Sequence, residues 1–469
     1  MFPPLAAVVL CAGKGERMHA PLPKVLHPLL GKPLAYWPLA LAEKLGAAPL
    51  VAVVGHQRER VEENLRAVLD KAPLHFAVQK AQRGTADAVL AAKGVLAEFK
   101  GDILLMAGDT ALLEEGSLGR LLALHRKEGA LLSFLTSMLD NPHGYGRIWR
   151  QDGRAVAVIE EKNATEAQRA LREVNVGCYV VQSAFLWKAL EALSPNPLTG
   201  EFYLTDIVAA AARGGGEGGI ETLCIPEAEA MGVNDKVQLA QATDGMRRRI
   251  LHRHMLAGVT LLCPQSTWIE AGVEIGQGCT LGPQVFIGGN SRLEEAIKID
   301  QGSHITDCHI GAGTHLKPYC VLEGAVVGPG CMLGPFARLR PGTRLEEAVH
   351  IGNFVETKNA VLSKGAKANH LSYLGDVDIG EATNVGAGTI TCNYDGFAKH
   401  RSRIGKGAFI GSDVQLVSPV CIGDNAWVAA GATVTQDVPE GALAISRIPQ
   451  QNKLDYAGRL KEKKRKPKP

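Results

Sequence analysis

The sequence predicts an α/β chain built in two parts, a mostly parallel sheet covered by helices on both faces and then a parallel β-helix. Three observations carry this. From Leu5 to about Ile225, short apolar runs alternate with stretches whose apolar residues recur at helical spacing. Beyond residue 255 the apolar residues instead recur every six positions. Glycine is also frequent, 53 of 469 residues, while aromatics make up only 5%, which fits a region of many tight turns.

In the first part, Leu5 to Leu10, Leu50 to Val54, His75 to Val78 and Ile103 to Met106 read as buried strands. Leu34 to Leu45, Glu59 to Leu69 and Thr85 to Ala97 read as the helices between them. A polar helical stretch from Asp235 to His254 reads as a linker. The expected division is 1–234, a linker helix at 235–254, a β-helix at 255–440 and an arm with a basic tail at 441–469.

In the second part, Ile269, Ile275, Leu281, Ile287, Leu293, Ile299 and Ile305 keep one register. Val327 to Ile351 and Ile404 to Val434 form two further runs. Neither a helix nor one long strand generates a six-residue period, whereas a coil with three flat faces does, with one inward aliphatic per face. Three hexads make a coil of 18 residues, giving roughly ten coils. The register breaks between Ile305 and Val327, between Ile351 and Ile379, and between Val385 and Ile404, where loops are expected to leave the coil and carry chemistry.

The composition is that of a globular chain, 46% hydrophobic and 21% charged. No apolar run is long enough to span a membrane, and Met1 to Leu10 has no basic segment ahead of its apolar stretch. Ten scattered cysteines without a C-x-x-C pair fit a reducing cytoplasm and give no zinc spacing. Lys453 to Pro469 holds eight basic and two acidic residues, so a whole-chain charge of +3 leaves about −3 elsewhere. That tail reads as a mobile solvated end, with an anion site as the alternative; it is weak evidence for nucleic acid, and none is expected as a partner.

The first strand ends in L-C-A-G-K-G-E-R-M (Leu10 to Met18), followed by P-K-V-L-H from Pro23. A glycine loop exposes backbone N–H groups to phosphate, and Arg17 and Lys24 add positive charge. With Q-K-A-Q-R-G-T-A from Gln79, Gly108-Asp109, Y-G-R-I from Tyr145, I-E-E-K from Ile159, E-V-N-V-G from Glu173, E-F-Y-L-T-D from Glu201 and G-V-N-D from Gly232, the chain resembles the bifunctional bacterial N-acetylglucosamine-1-phosphate uridylyltransferase/glucosamine-1-phosphate acetyltransferases. The resemblance implies a Rossmann-like nucleotidyltransferase domain followed by a left-handed hexapeptide-repeat β-helix.

The resemblance also implies site roles. Asp109 and Asn234 would hold Mg²⁺, with Arg17 and Lys24 catalytic at the triphosphate. Leu10, Ala12, Gly13, Lys24, Gln79, Gly84, Thr85, Gly146, Glu160, Asn175 and Asn234 would bind UTP and the sugar nucleotide. A turn-forming aspartate is the ordinary alternative for Asp109. Three positions depart from the family pattern: Glu16 for a Thr or Ser, Asp87 for a His, and Ala111 for a proline. Glu16 is expected to turn outward.

In the β-helix, K-A-N-H-L-S-Y-L-G-D from Lys367 and G-A-G-T-I-T-C-N-Y-D-G from Gly386 resemble the acetyltransferase half. Acetylating an amine needs a base and a donor to the oxyanion, and histidine suits the first task. The match makes His370 that base and Ala387 the oxyanion donor. It puts Arg338, Lys358, Tyr373 and Lys399 on glucosamine-1-phosphate, with Glu356 and Asn384 near its amine. Ala387, Asn393, Tyr394, Ser412, Ala430 and Arg447 would bind acetyl-coenzyme A, the acetyl donor. Asn369, where Gly is usual, is a minor departure.

The expected substrates are therefore UTP, acetyl-coenzyme A and glucosamine-1-phosphate, with a homotrimer assembled through the β-helix. The competing reading is a nucleotidylyltransferase of one activity whose β-helix serves regulation or trimer assembly.

Overall fold

A computed structural model describes residues 3–69, 73–213 and 219–465, and the chain divides into two compact units, Met1–Ile250 and Leu251–Pro469.

In the first unit, β1 (Leu5–Leu10), β2 (Leu50–Val54), β3 (Leu74–Val78) and β4 (Asp102–Ala107) pair in parallel in the order β4-β1-β2-β3. Further strands extend the other edge: β5 (Leu132–Met138), a hairpin of β6 (Arg147–Gln151) and β7 (Arg154–Ile159), β8 (Glu173–Gln182) and β9 (Ile220–Ile225). The sheet is mixed, because β8 lies antiparallel between β4 and β5.

Successive side chains of a strand point to opposite faces, and the core divides accordingly. Ala7 and Val9 pack on one side with helices α1 (Tyr36–Lys44), α2 (Arg58–Val68) and α4 (Glu115–Lys127). Ala6 and Val8 pack on the other with α3 (Thr85–Ala91), α5 (Ser183–Glu191) and α6 (Asp206–Arg213). A strand buried on both faces must be apolar throughout, which is why β1 and β2 read as continuous runs. Helix α7 (Lys236–Leu256) follows where the linker is expected.

The second unit is a parallel β-helix. One face stacks eleven short strands, from Thr260–Leu261 to Leu443–Ala444. Inward aliphatics such as Ile287, Ile305, Leu333 and Leu416 are fully buried. Each contributes about 1.5–3 kcal/mol.

Two of the three register breaks are not loops. His309 pairs with Arg292 and Asp378 with Val361, a spacing of 17 residues where Phe286 and Trp268 are 18 apart. The inward ladder simply takes five-residue steps, Ile305 to Ile310, Leu322 to Val327, Thr357 to Leu362 and Leu374 to Ile379. Thr357 disguised the pattern: it is inward and fully buried, satisfying its hydroxyl on the Thr343 hydroxyl at 3.0 Å. The K-A-N-H segment accordingly lies on a regular rung, as strand Lys367–His370. The third break is an excursion, Asn393 to Arg401, after which Arg403 pairs with Asp378.

In the tail, Tyr456–Arg465 is helical and solvated, with every residue exposed, and residues 466–469 lie outside the described residues.

Candidate active sites

At the carboxyl ends of β1 and β4, a cleft of about 420 Å³ opens in the first unit. Parallel sheets gather ligands at this edge, where loops diverge. Of the residues singled out in the sequence, Leu10, Ala12, Gly13, Lys24, Gln79, Gly84, Thr85, Asp109 and Glu160 line it. Lys24 follows a short turn after the glycine loop and places its ammonium on the Asp109 carboxylate and, at 3.2 Å, on Asn234 Oδ1. Arg17 donates to the same Asn234 oxygen at 2.9 Å. One carboxylate and one amide oxygen thus converge on a single cation, a donor set that suits a hard metal. Among the described residues no group of three or more His, Cys, Asp or Glu is placed to hold a metal.

Gly146 and Asn175 do not line this cleft but stand beside each other. Asn175 N–H donates to the Gly146 carbonyl at 2.9 Å, and its side-chain amide donates to the Tyr179 hydroxyl at 2.7 Å. Burial pushes the Glu160 carboxyl up, against the Thr205 hydroxyl that donates to it at 2.8 Å. Burial, then the Asp109 charge, pushes the Cys11 thiol up to about 12, which removes it as a nucleophile. Glu16 is exposed, as expected, and Ala111 is buried.

The sequence reading gave no role to Gln82, Glu201 or Tyr203, which also line the cleft. Gln82 donates to the Ala12 carbonyl at 2.7 Å. Glu201 and Tyr203 sit in the E-F-Y-L-T-D block, yet only the fold shows that this block folds back over Gly84.

In the β-helix, Arg338, Glu356 and Tyr373 stand on consecutive rungs of one face. Glu356 accepts from Arg340 at 3.0 Å and Arg338 donates to Glu323 at 3.2 Å. At the end of that face the excursion returns Lys399 to the side of Lys358, whose ammonium holds Lys399 below the usual lysine range. Beneath them is Asp376, which the sequence reading missed. Burial pushes its carboxyl up, but the side-chain amides of Asn359 and Asn393, at 2.6 and 2.5 Å, together with both lysine charges hold it low.

His370 is exposed at the opposite corner of the same face, and the backbone there makes a column. The carbonyl of His370 accepts from Gly388 N–H, that of Ala387 from Asp413, and that of Ser412 from Gly431. His370, Ala387, Ser412 and Ala430 therefore hold one position on successive coils, and Arg447 donates to the Ala430 carbonyl at 2.9 Å. Asn393 is committed to Asp376, Tyr394 is exposed and donates to Gly396, and Asn384 lies around the corner on the rung of Lys367.

A nucleotidyl transferase family model matches residues 6–217, and a model described as the GMPPB C-terminal domain matches residues 263–360. Three similar relatives are each named Bifunctional protein GlmU. That of Pelobacter propionicus is 47% identical over 98% of this chain and 99% of its own, and that of Geobacter sulfurreducens is 45% identical over the same shares. That of an Anaeromyxobacter species is 50% identical over 98% of this chain and 93% of its own. With such identity maintained through both units, the chain belongs to the family of bifunctional proteins named GlmU.

Proposed function

We propose that the protein makes UDP-N-acetylglucosamine in two steps, acetylating glucosamine-1-phosphate from acetyl-coenzyme A and then coupling the product to UTP with release of pyrophosphate. The observation that carries this reading is that each compact unit holds its own polar constellation, a cation-centred cleft in one and a histidine-headed column in the other.

For the uridylyl step, the glycine loop and the cations Arg17 and Lys24 bind the triphosphate. Gln79, Gly84 and Thr85 bind the base, and Gly146, Glu160 and Asn175 bind the sugar. Asp109 and Asn234 would hold Mg²⁺, which when bound would offset the repulsion between two anionic reactants. Lys24, now on the oxygens of Asp109 and Asn234, is the cation within reach of the phosphates.

For the acetyl step, Arg338, Lys358, Tyr373 and Lys399 hold the sugar phosphate. The Lys358–Lys399 pair favours a dianion at that end of the face. His370 takes the proton from the attacking amine at a ring nitrogen, and the Ala387 N–H donates to the thioester oxyanion. Down the column, Ala387, Ser412, Ala430 and Arg447 hold an extended acetyl-coenzyme A, with Asn393 and Tyr394 at its side.

Three copies assemble through the β-helix. This is supported by an exposed apolar ladder on the same corner, Tyr319, Phe336, Phe354 and Leu371, with ring centroids 5.3 and 5.2 Å apart. Among the described residues no helix is long and apolar enough to cross a membrane, and all ten cysteines are free, in keeping with a cytoplasmic site of action.

The test gives the purified protein UTP, Mg²⁺, acetyl-coenzyme A and glucosamine-1-phosphate, and follows free thiol and pyrophosphate separately. Both should appear, pyrophosphate only after thiol. Pyrophosphate from supplied N-acetylglucosamine-1-phosphate without any thiol release would favour the single-activity alternative.

A further inference from the structure

The reactions above place Gln79 at the base but give no role to Asp87, to which it is joined. Gln79 follows β3, lines the cleft and is 7% exposed. Its side-chain Nε2 donates to two acceptors, the carbonyl of Gly84 on the cleft wall at 3.1 Å and Oδ2 of Asp87, which does not line the cleft, at 2.9 Å. Both amide protons are thereby committed, which leaves Oε1 with its lone pairs as the free polar atom of the side chain. Turning the amide over would aim Oε1 at a carbonyl and a carboxylate together, so acceptor meets acceptor twice.

Asp87, in the first turn of α3, is itself held. Arg83 donates to its other oxygen, Oδ1, from Nε at 3.2 Å and Nη2 at 2.8 Å. The Arg83 guanidinium lies 5.7 Å from the centre of the Phe202 ring, and Phe202 N–H donates to the Arg83 carbonyl at 2.7 Å. The carboxylate therefore cannot rotate away to follow Gln79.

We propose that Asp87 is a positioning residue that fixes the Gln79 carboxamide with its carbonyl toward the cleft, so that this edge accepts a hydrogen bond and selects a pyrimidine carrying N3–H. The proposal rests on the reading of this cleft as the UTP site. Uracil offers N3–H to such an acceptor, whereas cytosine presents an unprotonated N3, lone pair against lone pair. Sites that must hydrogen-bond a substrate group discriminate strongly against the analogue lacking it, because a buried polar atom is left unpaired.

The chemistry of the lock gives an unusual order of variants. In Asp87→Asn, Arg83 retains the amide oxygen, so the new NH₂ faces the NH₂ of Gln79 and drives it over. In Asp87→Ala, the Gly84 carbonyl still holds Gln79 correctly. The isosteric change is therefore more harmful than the truncation, the reverse of what a space-filling role gives.

The experiment measures kcat/KM for UTP and for CTP in the full-length protein, by pyrophosphate release with Mg²⁺ and saturating N-acetylglucosamine-1-phosphate. Thiol release in the acetyl reaction reports the amount of active second unit, and the thermal melt of each variant reports whether the first unit is folded. The UTP preference should fall at least about tenfold in Gln79→Ala and in Asp87→Asn, and less in Asp87→Ala. Adding Arg83→Ala to Asp87→Asn should restore it, because the asparagine can then turn its oxygen to Gln79. An unchanged preference in Asp87→Asn while Gln79→Ala loses it, a larger loss in Asp87→Ala, or no rescue by Arg83→Ala would each overturn the positioning role. An unchanged preference in Gln79→Ala would instead overturn the base-binding reading beneath it. If Asp87→Asn does not fold, the Gln79→Ala and Asp87→Ala pair decides, a greater loss in Asp87→Ala again overturning the role.

Discussion

Replacing Gly84 by alanine tests the cleft wall at the point where the backbone leaves least room. Gly84 has φ +113°, a conformation that L side chains rarely adopt, and it precedes α3 on the wall shared with Gln79. A Cβ there would stand 2.8 Å from Phe202 N and 3.0 Å from Phe202 C, and closer still to Phe202 O, where ordinary contact begins at 3.4 Å. Phe202 cannot yield alone: its N–H donates to the Arg83 carbonyl, its carbonyl accepts from Ala86 at 3.0 Å, and Leu204 N–H donates to the Thr85 hydroxyl at 2.9 Å. The substitution must either keep the conformation, at about 1–3 kcal/mol of strain, or move the wall by about half an ångström to one ångström. A misplacement of about 1 Å can cost about 10²-fold in rate. We expect kcat/KM for UTP, read by pyrophosphate release, to fall by ten- to about a hundredfold. Acetyl transfer measured on the same sample should hold at the parent rate. A variant with parental kcat/KM for UTP and unchanged melting temperature would refute the reasoning, since it would mean that the wall relaxes freely and that Gly84 does not shape the nucleotide site.

Asp109→Ala should abolish pyrophosphate release while thiol release continues; collapse of both in folded protein would remove the division into two sites. His370→Ala should slow acetyl transfer about 10²- to 10⁴-fold with little change in KM and with uridylyl transfer at the parent rate. An unchanged acetylation rate at pH 7 would move the base to Glu356. Because Lys358 holds Lys399 below the usual lysine range, Lys399 loses its charge at a lower pH than a free lysine, so KM for glucosamine-1-phosphate should begin to rise before that range is reached. A Lys399→Met variant with the parental pH dependence of KM would contradict this. Burial, then the Arg253 charge, pushes His254 down from 6.5 to about 4, and among the described residues its Nε2 has no hydrogen-bond partner. The unfolded chain then takes up the proton first, so stability from this group is complete above 6.5 and is lost as the pH falls toward 4. The loss is at most about 3 kcal/mol. In equilibrium unfolding His254→Leu should lose less stability than the parent between pH 7 and 4, and equal losses would count against the shift.

The parts of the fold that were legible in the sequence are those whose period is local. β1 and β2 are apolar at every position because both their faces are covered, and the hexads repeat because each coil meets its neighbour identically. What was not legible depends on distant pairing. Nothing in E-V-N-V-G marks β8 as the antiparallel strand between β4 and β5, since parallel and antiparallel partners bury the same side chains. Thr357 broke the apolar count because a hydroxyl with a buried partner can replace an aliphatic, and so a shortened rung was read as a loop. In the sites, the glycine loop, Lys24 and Asp109 could be suspected from chemistry, whereas Glu160, Asn175 and the β-helix residues came from resemblance alone. Asp87 stood out only as a departure. Its meaning needed two partners, one four residues back and one eight, whose directions the sequence does not reveal.

Beyond the opening coil, which takes eight residues from Leu261 to Ile269, the irregular steps of the β-helix up to Val434 all fall at one corner. The four five-residue steps and the excursion from Asn393 to Arg401 lie between the first and second strand of their coils, while over that span the other two corners keep six-residue steps. A length change at a corner costs only the corner, because the strands on either side resume their pairing, as Arg403 does with Asp378 and Phe409 with Asn384. This is why an excursion can carry Lys399 back to Lys358 without disturbing the column of His370, Ala387, Ser412 and Ala430 at the opposite end of the face. Adjacent coils lie about 4.8 Å apart, so three steps of the column span roughly 14 Å of uninterrupted backbone positions. An extended donor needs that kind of continuity, whereas a compact dianion needs two charges brought to one point. A repeat that stays regular at one corner and irregular at another supplies both on a single face.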